Sequence, residues 1–308
     1  MKFTKMQGCG NDYVYVDGSK EKISKDRKPS IVKFISDRHF GVGSDGVIFI
    51  NPVDDEEIDF EMEMYNADGT RSEMCGNGIR CVAKYVYDYH LTDKQELTIV
   101  SAGKKKYIDL TIGEDGLVES VKVDMGAPIL DAASVPVTVD DAVLAKSKNY
   151  DTLSEAYGRL AVNVPVTIAG KKWEVTCVSM GNPHCVVFLP EDEELAEFDI
   201  NTIGPLFENH PMFPNRTNTE FVSIDDKNNV RMRVWERGTG ETLACGTGCC
   251  ATTVACILNL LTDTNVNVHV LGGVIKCSWD RKPESPVIME GPATTVFEGE
   301  INTDNIIG

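Results

Sequence analysis

Short runs that either alternate apolar with polar residues or are rich in β-forming residues dominate the chain and predict a strand-rich protein. Runs of this kind, rich in β-branched residues and bounded by turn residues, are typical of β-strands. The predicted strands are Asp12–Asp17, Gly46–Ile50, Asp59–Tyr65, Leu97–Val100, Lys106–Ile112, Val118–Asp124, Ala161–Ile168, Trp173–Val178, Cys185–Leu189, Thr219–Ile224, Val230–Trp235, Val266–Val270, Gly273–Trp279 and Thr295–Glu300.

Helical periodicity is confined to a few segments. Apolar residues recur at helical spacing over Ile79–Tyr89 and again over Cys249–Leu261, and a third helix is predicted over Ser30–Arg38. Two charged and uneven segments, Ser19–Lys28 and Asp140–Arg159, are interpreted as surface insertions: solvated loops that can include a short helix, with no function assigned to them.

Two stretches far apart in the chain repeat the same order of residue types. An aromatic residue, a polar loop, Cys-Gly-x-Gly and a helix follow one another over 65–78 and again over 235–248. A weaker match pairs residues 10–13 with 181–184 at almost the same separation. Two matches at nearly one separation predict duplicated, pseudo-symmetric halves with a cleft between them. The length of 308 residues agrees, since single domains have about 150 residues.

Composition and charge exclude several classes of protein. The apolar fraction of 42% is too high for a disordered chain, and 26 glycines with 13 prolines are too few for a fibrous one. No apolar run approaches the roughly 18 to 20 residues of a membrane span, and the first residues turn polar too early for a signal peptide. The net charge of −18 disfavours binding to nucleic acid.

The ten cysteines lack the spacing of a zinc ribbon or a redox dithiol, because no Cys-x-x-Cys pair occurs. We therefore expect free thiols in a reducing cytoplasm, most of them small core residues.

The repeated Cys-Gly-x-Gly places a cysteine at a turn from strand to helix. The N-terminus of a helix offers unpaired amides and the positive end of the helix dipole, which favour a carboxylate and lower the pKa of a thiol. With Cys75 and Cys245 opposed across a cleft, one carboxylate would lie between two helix N-termini with a sulfur on each face of its α-carbon. Such a pair can invert a carbon–hydrogen stereocentre, one thiolate removing a proton and the other thiol adding one.

Other interpretations of these residues remain open at this point. A thiol hydrolase would use one cysteine with a histidine such as His184, but it leaves the second motif unexplained. A phosphate loop lacks its Gly-Lys-Ser/Thr ending. A non-catalytic protein that binds an amino acid in the cleft is a third alternative.

Motifs along nearly the whole chain resemble those of the diaminopimelate epimerase family, whose members are amino-acid epimerases that need no cofactor. The motifs are Gly8-Cys9-Gly10-Asn11-Asp12, Asp37-Arg38-His39-Phe40-Gly41-Val42-Gly43, Asn66-Ala67-Asp68-Gly69, Cys75-Gly76-Asn77-Gly78, Met180-Gly181-Asn182-Pro183-His184, Arg216-Thr217-Asn218, Glu236-Arg237-Gly238, Cys245-Gly246-Thr247-Gly248 and Gly291-Pro292-Ala293.

The resemblance implies an isomerase that converts LL-diaminopimelate to meso-diaminopimelate on the route to lysine and peptidoglycan, with neither a cofactor nor a metal. It implies that Cys75 and Cys245 are the acid/base residues and that His184 and Glu236 support proton transfer. The substrate-binding residues that it implies are Asn11, Asn66, Gly76, Asn77, Asn182, Asn218, Glu236, Arg237, Gly246 and Thr247, with Arg237 on the distal carboxylate. Another amino-acid racemase of the same cofactor-independent kind is the alternative.

The resemblance also implies an α+β fold of two pseudo-symmetric domains, each a mainly antiparallel sheet wrapped around a central helix. The first domain is expected to hold residues 1–124 and 294–308 with Cys75, and the second 125–293 with Cys245. The expected partner is the small-molecule substrate in the cytoplasm, without nucleic acid or membrane, and a homodimer is left open.

Overall fold

The computed structural model describes residues 1–72, 75–304 and 306. The chain divides into two compact units, the first formed by Met1–Asp124 with Glu290–Gly308 and the second by Met125–Met289. The boundary expected from the sequence lay after residue 293, so the difference concerns four residues, 290–293. Within the described part of the chain, no helix combines the length and the apolar character needed to cross a bilayer.

Residues 290–293 belong to the first unit because polar contacts hold them there. Ser120 Oγ donates to a carboxylate oxygen of Glu290 at 3.0 Å, and Arg80 Nε donates to the carbonyl of Pro292 at 3.1 Å. The buried Arg80 therefore connects the end of the chain to the first unit.

The strands follow one another in runs of two to four, and one or two helices separate successive runs. In chain order they are β1 (Lys2–Gly8), β2 (Asn11–Asp17), α1 (Lys28–Ser36), β3 (Gly46–Pro52), β4 (Phe60–Asn66), α2 (Gly76–Asp88), β5 (Glu96–Ser101), β6 (Lys104–Ile112), β7 (Val118–Asp124), α3 (Asp141–Leu144), α4 (Tyr150–Tyr157), β8 (Val164–Ile168), β9 (Lys171–Ser179), β10 (Pro183–Phe188), a 3₁₀ helix (Leu195–Glu197), α5 (Ile200–Glu208), β11 (Asn218–Ile224), β12 (Asn229–Glu236), β13 (Gly240–Thr242), α6 (Gly246–Leu258), β14 (Asn265–Val270), β15 (Gly273–Ser278), β16 (Ile288–Gly291) and β17 (Thr294–Glu300).

Both units contain the same succession of strand pairs. In the first unit β1–β2, β3–β4 and β5–β6 are antiparallel, whereas β2–β3 and β4–β5 are parallel. In the second unit β9–β10, β11–β12 and β14–β15 are antiparallel, whereas β10–β11 and β12–β14 are parallel. The predicted α+β class with a mainly antiparallel sheet is thereby confirmed.

A long helix lies against the sheet of each unit. Helix α2 contacts β1, β2, β6 and β7, and α6 contacts β9, β10, β11, β14 and β15. Nearly all residues of both helices are buried, which explains their high content of small and apolar side chains. Each long helix is therefore the centre of its unit, and its packing against the strands fixes its N-terminus relative to the sheet.

A shorter helix is associated with each sheet as well. Val14, Val47 and Phe49 of the first sheet pack with Ile31 and Ile35 of α1. In the second unit an aromatic cluster joins α5 to the sheet through Trp173, Phe198, Phe207 and Phe221. These cores hold the strands that carry the site residues.

The predicted strands and the three predicted helices are all present, with small differences at their ends. The sequence prediction missed β1, β13, β16 and α5. Helix α5 has Gly204 and Pro205 in its interior, and both residues weaken a helical pattern in sequence. The segment interpreted as the insertion Asp140–Arg159 contains α3 and α4.

Candidate active site

Cys75 occupies the N-cap position of α2. Its backbone is extended, and its sulfur accepts a hydrogen bond from the amide of Gly78 at 3.3 Å. A capping side chain that accepts from the third helical residue satisfies one of the four free amides at a helix start. The amides of Gly76 and Asn77, at the first two helical positions, are directed toward the same end of the helix and can receive an anion.

Asn11 provides the second contact of the Cys75 thiol. The thiol donates to Asn11 Oδ1 at 3.1 Å, and Asn11 Nδ2 in turn donates to Asp45 at 2.7 Å. The position of Asp45 is fixed by Arg38, whose Nη2 lies 2.8 Å from it and 2.8 Å from Asp12. The amide of Asn11 is thus held with its oxygen toward the sulfur.

Charged neighbours stabilise the ionised form of Asp12 in this network. Burial would raise its pKa, but hydrogen bonds from Arg38 and Lys5 hold the pKa of Asp12 below its usual value. The buried Tyr13 follows on the same strand, and burial together with the nearby Cys75 raises the pKa of its phenol. Tyr13 therefore remains a neutral hydroxyl beside the thiol.

Asn66, the remaining predicted residue of the first unit, lies at the end of β4 and is half-buried. Its Nδ2 donates to Thr70 Oγ1 at 3.1 Å within the turn that follows the strand. The contact that the structure gives for its side chain is therefore local. Residues 73 and 74 of the predicted motif lie outside the described residues.

Cys245 occupies the N-cap position of α6 in the same way. Its sulfur accepts from the amide of Gly248 at 3.4 Å and lies 3.4 Å from Thr247 Oγ1. Burial raises the pKa of the Cys245 thiol well above its usual value, and the nearby carboxylates of Glu236 and Glu220 raise it further. The lowered pKa expected for a thiol at a helix N-terminus is therefore not found at Cys245, because burial and the two carboxylates outweigh the helix dipole, and Cys245 is a protonated thiol at neutral pH.

Glu236 lies at the end of β12 in contact with the Cys245 thiol. Thr242 Oγ1 donates to one of its carboxylate oxygens. Burial raises the pKa of Glu236, while hydrogen bonds from Thr242 and Cys245 offset part of that effect. A carboxylate whose pKa is raised binds a proton more tightly than an ordinary glutamate does, which favours proton exchange with a neighbouring thiol.

His184 is completely buried on β10, next to the same loop. Its Nε2 lies 3.1 Å from Asn182 Oδ1, and Asn182 Nδ2 donates to Thr247 Oγ1 at 3.3 Å. Its Nδ1 lies 2.7 Å from a carboxylate oxygen of Glu220. A chain of contacts therefore runs from Glu220 through His184 and Asn182 to the residue that touches Cys245.

Asn218 and Arg237 form a second group in this unit. The backbone amide of Arg237 donates to Asn218 Oδ1 at 2.9 Å, and Arg237 Nη1 donates to the carbonyl of Asn215 at 3.0 Å. Asn218 is the register partner of His184 in the parallel pair β10–β11, which places this group beside the histidine.

Within each unit the structure thus groups most of the predicted residues around one cysteine. Sequence reasoning missed Glu220, which contacts His184 directly. The available signal was its place in the strand Asn218–Ile224, since a carboxylate within a buried strand requires a partner.

Comparison with known proteins gives a consistent result. The sequence pattern described as diaminopimelate epimerase matches residues 3–130 and 176–296. A protein named diaminopimelate epimerase from Agathobacter rectalis is 52% identical over 303 residues, which cover 98% of this chain and 99% of the relative. One of the same name from Methanococcus maripaludis is 48% identical over 302 residues, covering 98% of this chain and 100% of the relative.

Solved structures with low sequence identity share the fold. A Bacillus anthracis phenazine biosynthesis protein of the PhzF family has a TM-score of 0.66 at 17% identity, covering 98% of this chain and 99% of that one. A hydroxyproline epimerase from Agrobacterium vitis has a TM-score of 0.65 at 12% identity, covering 99% of this chain and 93% of that one. At such low identity the solved structures show only the fold. The sequence relatives, at about half identity over almost the whole chain, show the family and confirm the resemblance inferred from the motifs. The chain belongs to the diaminopimelate epimerase family of isomerases.

Proposed function

We propose that this protein interconverts LL- and meso-diaminopimelate without a cofactor, using Cys75 and Cys245 as the two acid/base groups. The name shared by relatives over almost the full length of the chain supports the substrate. One structural observation carries the mechanism: both sulfurs cap a buried central helix through the same contact, a hydrogen bond from the amide of the third helical residue. Two equivalent thiols are what a proton removal and a proton return require.

The reaction begins with one cysteine as thiolate and the other as thiol. The thiolate takes the α-proton, the carbon–hydrogen electron pair remains on the substrate as a carbanion, and the second thiol donates its proton to the opposite face. The amides of Gly76, Asn77, Gly246 and Thr247 would bind the adjacent carboxylate and stabilise the charge that develops on it.

The other predicted residues would select and orient the substrate. Glu236 and His184 would exchange protons around Cys245, and Arg237 would pair with the distal carboxylate. The amide side chains of Asn11, Asn66, Asn182 and Asn218 would bind the amino and carboxyl groups. A diamino diacid needs such charged and amide partners, because an apolar pocket does not recognise it.

Exchange of the α-hydrogen in heavy water tests the function. Incubation of LL-diaminopimelate with the protein in D₂O, without additives, should give meso-diaminopimelate with deuterium at the inverted carbon. A panel of amino acids in the same assay identifies the substrate class, and exchange of another amino acid alone would indicate a different racemase. Binding measured by calorimetry with no exchange for any amino acid would indicate a non-catalytic binding protein.

The mechanism further requires that both thiols reach the same α-carbon. Mild oxidation of the substrate-free protein should therefore form a Cys75–Cys245 disulfide, detectable by peptide mapping, and reductant should restore activity. If peptide mapping of the oxidised protein finds no Cys75–Cys245 disulfide, the claim that both thiols reach one α-carbon is contradicted.

We also place the protein in the cytoplasm, which is supported by its ten cysteines, all described and all present as thiols rather than disulfides. The homodimer remains a prediction that sedimentation velocity can test.

A further inference from the structure

Glu220 is a buried carboxylate that the proposed mechanism does not use. It lies on β11, completely inaccessible to solvent, and one carboxylate oxygen is 2.7 Å from Nδ1 of the equally buried His184. Its other oxygen, Oε2, has no hydrogen-bond partner among the described residues. A buried carboxylate is costly unless a donor or a positive charge is paired with it, and His184 is the donor that the structure provides.

The two ring nitrogens of His184 have different surroundings. Nδ1 is directed at Glu220, whereas Nε2 lies 3.1 Å from Asn182 Oδ1, on the side of Thr247 and Cys245. An amide oxygen only accepts, so Nε2 donates to Asn182 when the ring is doubly protonated, and the Asn182 amide must turn its Nδ2 toward Nε2 when that nitrogen is unprotonated. Among the described residues, Glu220 from β11 contacts the ring and Glu236 from β12 interacts with it electrostatically. Cys245, at the start of α6, is near both carboxylates. A carboxylate accepts but does not donate, so it retains the proton on Nδ1.

The first unit shows that the fold does not require this carboxylate. Strand register aligns Tyr13 with Gly46 in the first unit and His184 with Asn218 in the second, so that Ile48 corresponds to Glu220. A Cβ atom on Gly78 would meet Ile48 Cδ1 at 2.8 Å, and one on Gly248 would meet Glu220 Oε1 at 2.8 Å. The two side chains therefore occupy equivalent places beneath their helices, one apolar and one charged.

We infer that Glu220 is a positioning residue that fixes one proton of His184 on Nδ1 and leaves Nε2 as the atom that gains and loses a proton. Fixing the proton on one nitrogen also fixes the orientation of the ring, in the way that a buried carboxylate orients a histidine general base. As far as it concerns turnover, this inference rests on the proposed function.

The protonation of the ring can be measured in the native protein without any turnover. Nitrogen NMR of ¹⁵N-histidine-labelled protein distinguishes the Nδ1–H from the Nε2–H tautomer, and the signal lost in His184→Gln identifies His184 among the five histidines. In its neutral form His184 should carry its proton on Nδ1. A neutral Nε2–H ring in the native protein would overturn the inference, whatever the variants do.

Glu220→Gln keeps the shape of the side chain but can donate to Nδ1 through its amide. We expect a substantial Nε2–H population, with kcat lower by about 10- to 100-fold and KM changed by less than about threefold. Glu220→Asp, which retains the carboxylate, should keep the Nδ1–H ring and lose less kcat. Unchanged nitrogen shifts and unchanged kcat in Glu220→Gln would contradict the assignment.

Glu63→Gln is the matched control, because Glu63 is a buried glutamate of the first unit paired with Lys28. It should leave the His184 spectrum and kcat unchanged. The outcomes separate the two hypotheses: an Nδ1–H ring in a protein without deuterium exchange refutes only the proposed function, whereas an Nε2–H ring in an active enzyme refutes only the role of Glu220.

Discussion

The two units use one local structure to place a cysteine and then surround it with different chemistry. Cys75 and Cys245 cap their helices with the same hydrogen bond. Around Cys75 the equivalent positions are Tyr13, Ile48 and Asn66; around Cys245 they are His184, Glu220 and Glu236. The first three side chains are neutral, and the charged Asp45 and Arg38 are connected to Cys75 through Asn11. The second three form an ionisable cluster.

The geometry of the helix cap and the charges around it are therefore set by different parts of the sequence. Helix capping depends on the turn and its glycines, which both halves retain, so the sulfur has the same position in each. The proton affinity of the sulfur depends on burial and nearby charge, and these differ because Cys75 is half-buried while Cys245 is buried beside two glutamates.

The largest expected effect is the loss of inversion when either thiol is removed. Cys75→Ala and Cys245→Ala should each lower the rate of epimerisation by about 10²- to 10⁴-fold, the usual contribution of a positioned acid or base. Chiral chromatography of LL- and meso-diaminopimelate over time measures the rate of epimerisation for each variant.

Cys81→Ala and Cys256→Ala are the matched controls, since these buried cysteines lie further along the same two helices. They should retain near-normal rates. If one of the capping variants epimerised as fast as these controls, the symmetric two-thiol mechanism would be wrong.

Alkylation rates should differ between the half-buried Cys75 and the buried Cys245. The thiolate is the reactive form, and the pKa of Cys245 is raised, so iodoacetamide should modify Cys75 at least about tenfold faster at pH 7.5. Mass spectrometry of peptides sampled over time gives both rates. Faster labelling of Cys245 would show that its thiol is more acidic than its surroundings indicate.

Replacing the glycine at the third helical position by alanine in each unit compares the two side chains packed against it, Glu220 near Gly248 and Ile48 near Gly78. In Gly248→Ala the new methyl group meets a carboxylate held by His184, so we expect a loss of stability of about 1 to 3 kcal/mol and a fall in kcat. In Gly78→Ala it meets the terminal methyl group of the buried Ile48, which carries no charge, and the better helix propensity of alanine offsets up to about 1 kcal/mol of the strain.

Urea unfolding and kcat of both glycine variants measure this difference. Equal losses in the two would show that the Glu220 carboxylate moves aside as easily as an isoleucine methyl group.

The smallest expected effect is a pH-dependent change in stability on replacing Glu236. Burial raises its pKa in the folded protein, so its contribution to stability is complete below the unfolded value of about 4.3 and is lost as pH rises through the folded value. Glu236→Gln lacks this loss and should become more stable, relative to the native chain, between pH 4.5 and 7.5.

Unfolding in urea at the two pH values tests the sign, with the exposed Glu174→Gln as control. A relative stability of Glu236→Gln that falls toward pH 7.5 would show that the carboxylate is better stabilised when ionised.

Part of the fold was predictable because its signals are local. The run of β-forming residues in β2, the alternation in β12 and the apolar face of α2 depend on neighbouring residues. The repeated Cys-Gly-x-Gly identified both helix caps. Helix α5 was missed because Gly204 and Pro205 interrupt the helical pattern, although packing of Phe207 against the aromatic cluster stabilises it.

From the sequence, contiguous motifs were enough to identify the family and to predict that Cys75 and Cys245 each lie at the start of a helix. The three-dimensional structure was needed to show that His184 contacts Glu220 and that Ile48 occupies the equivalent place in the other unit. These contacts depend on the register of the parallel pairs β10–β11 and β2–β3. Parallel strands are joined by long connections, so a local sequence pattern does not indicate their register.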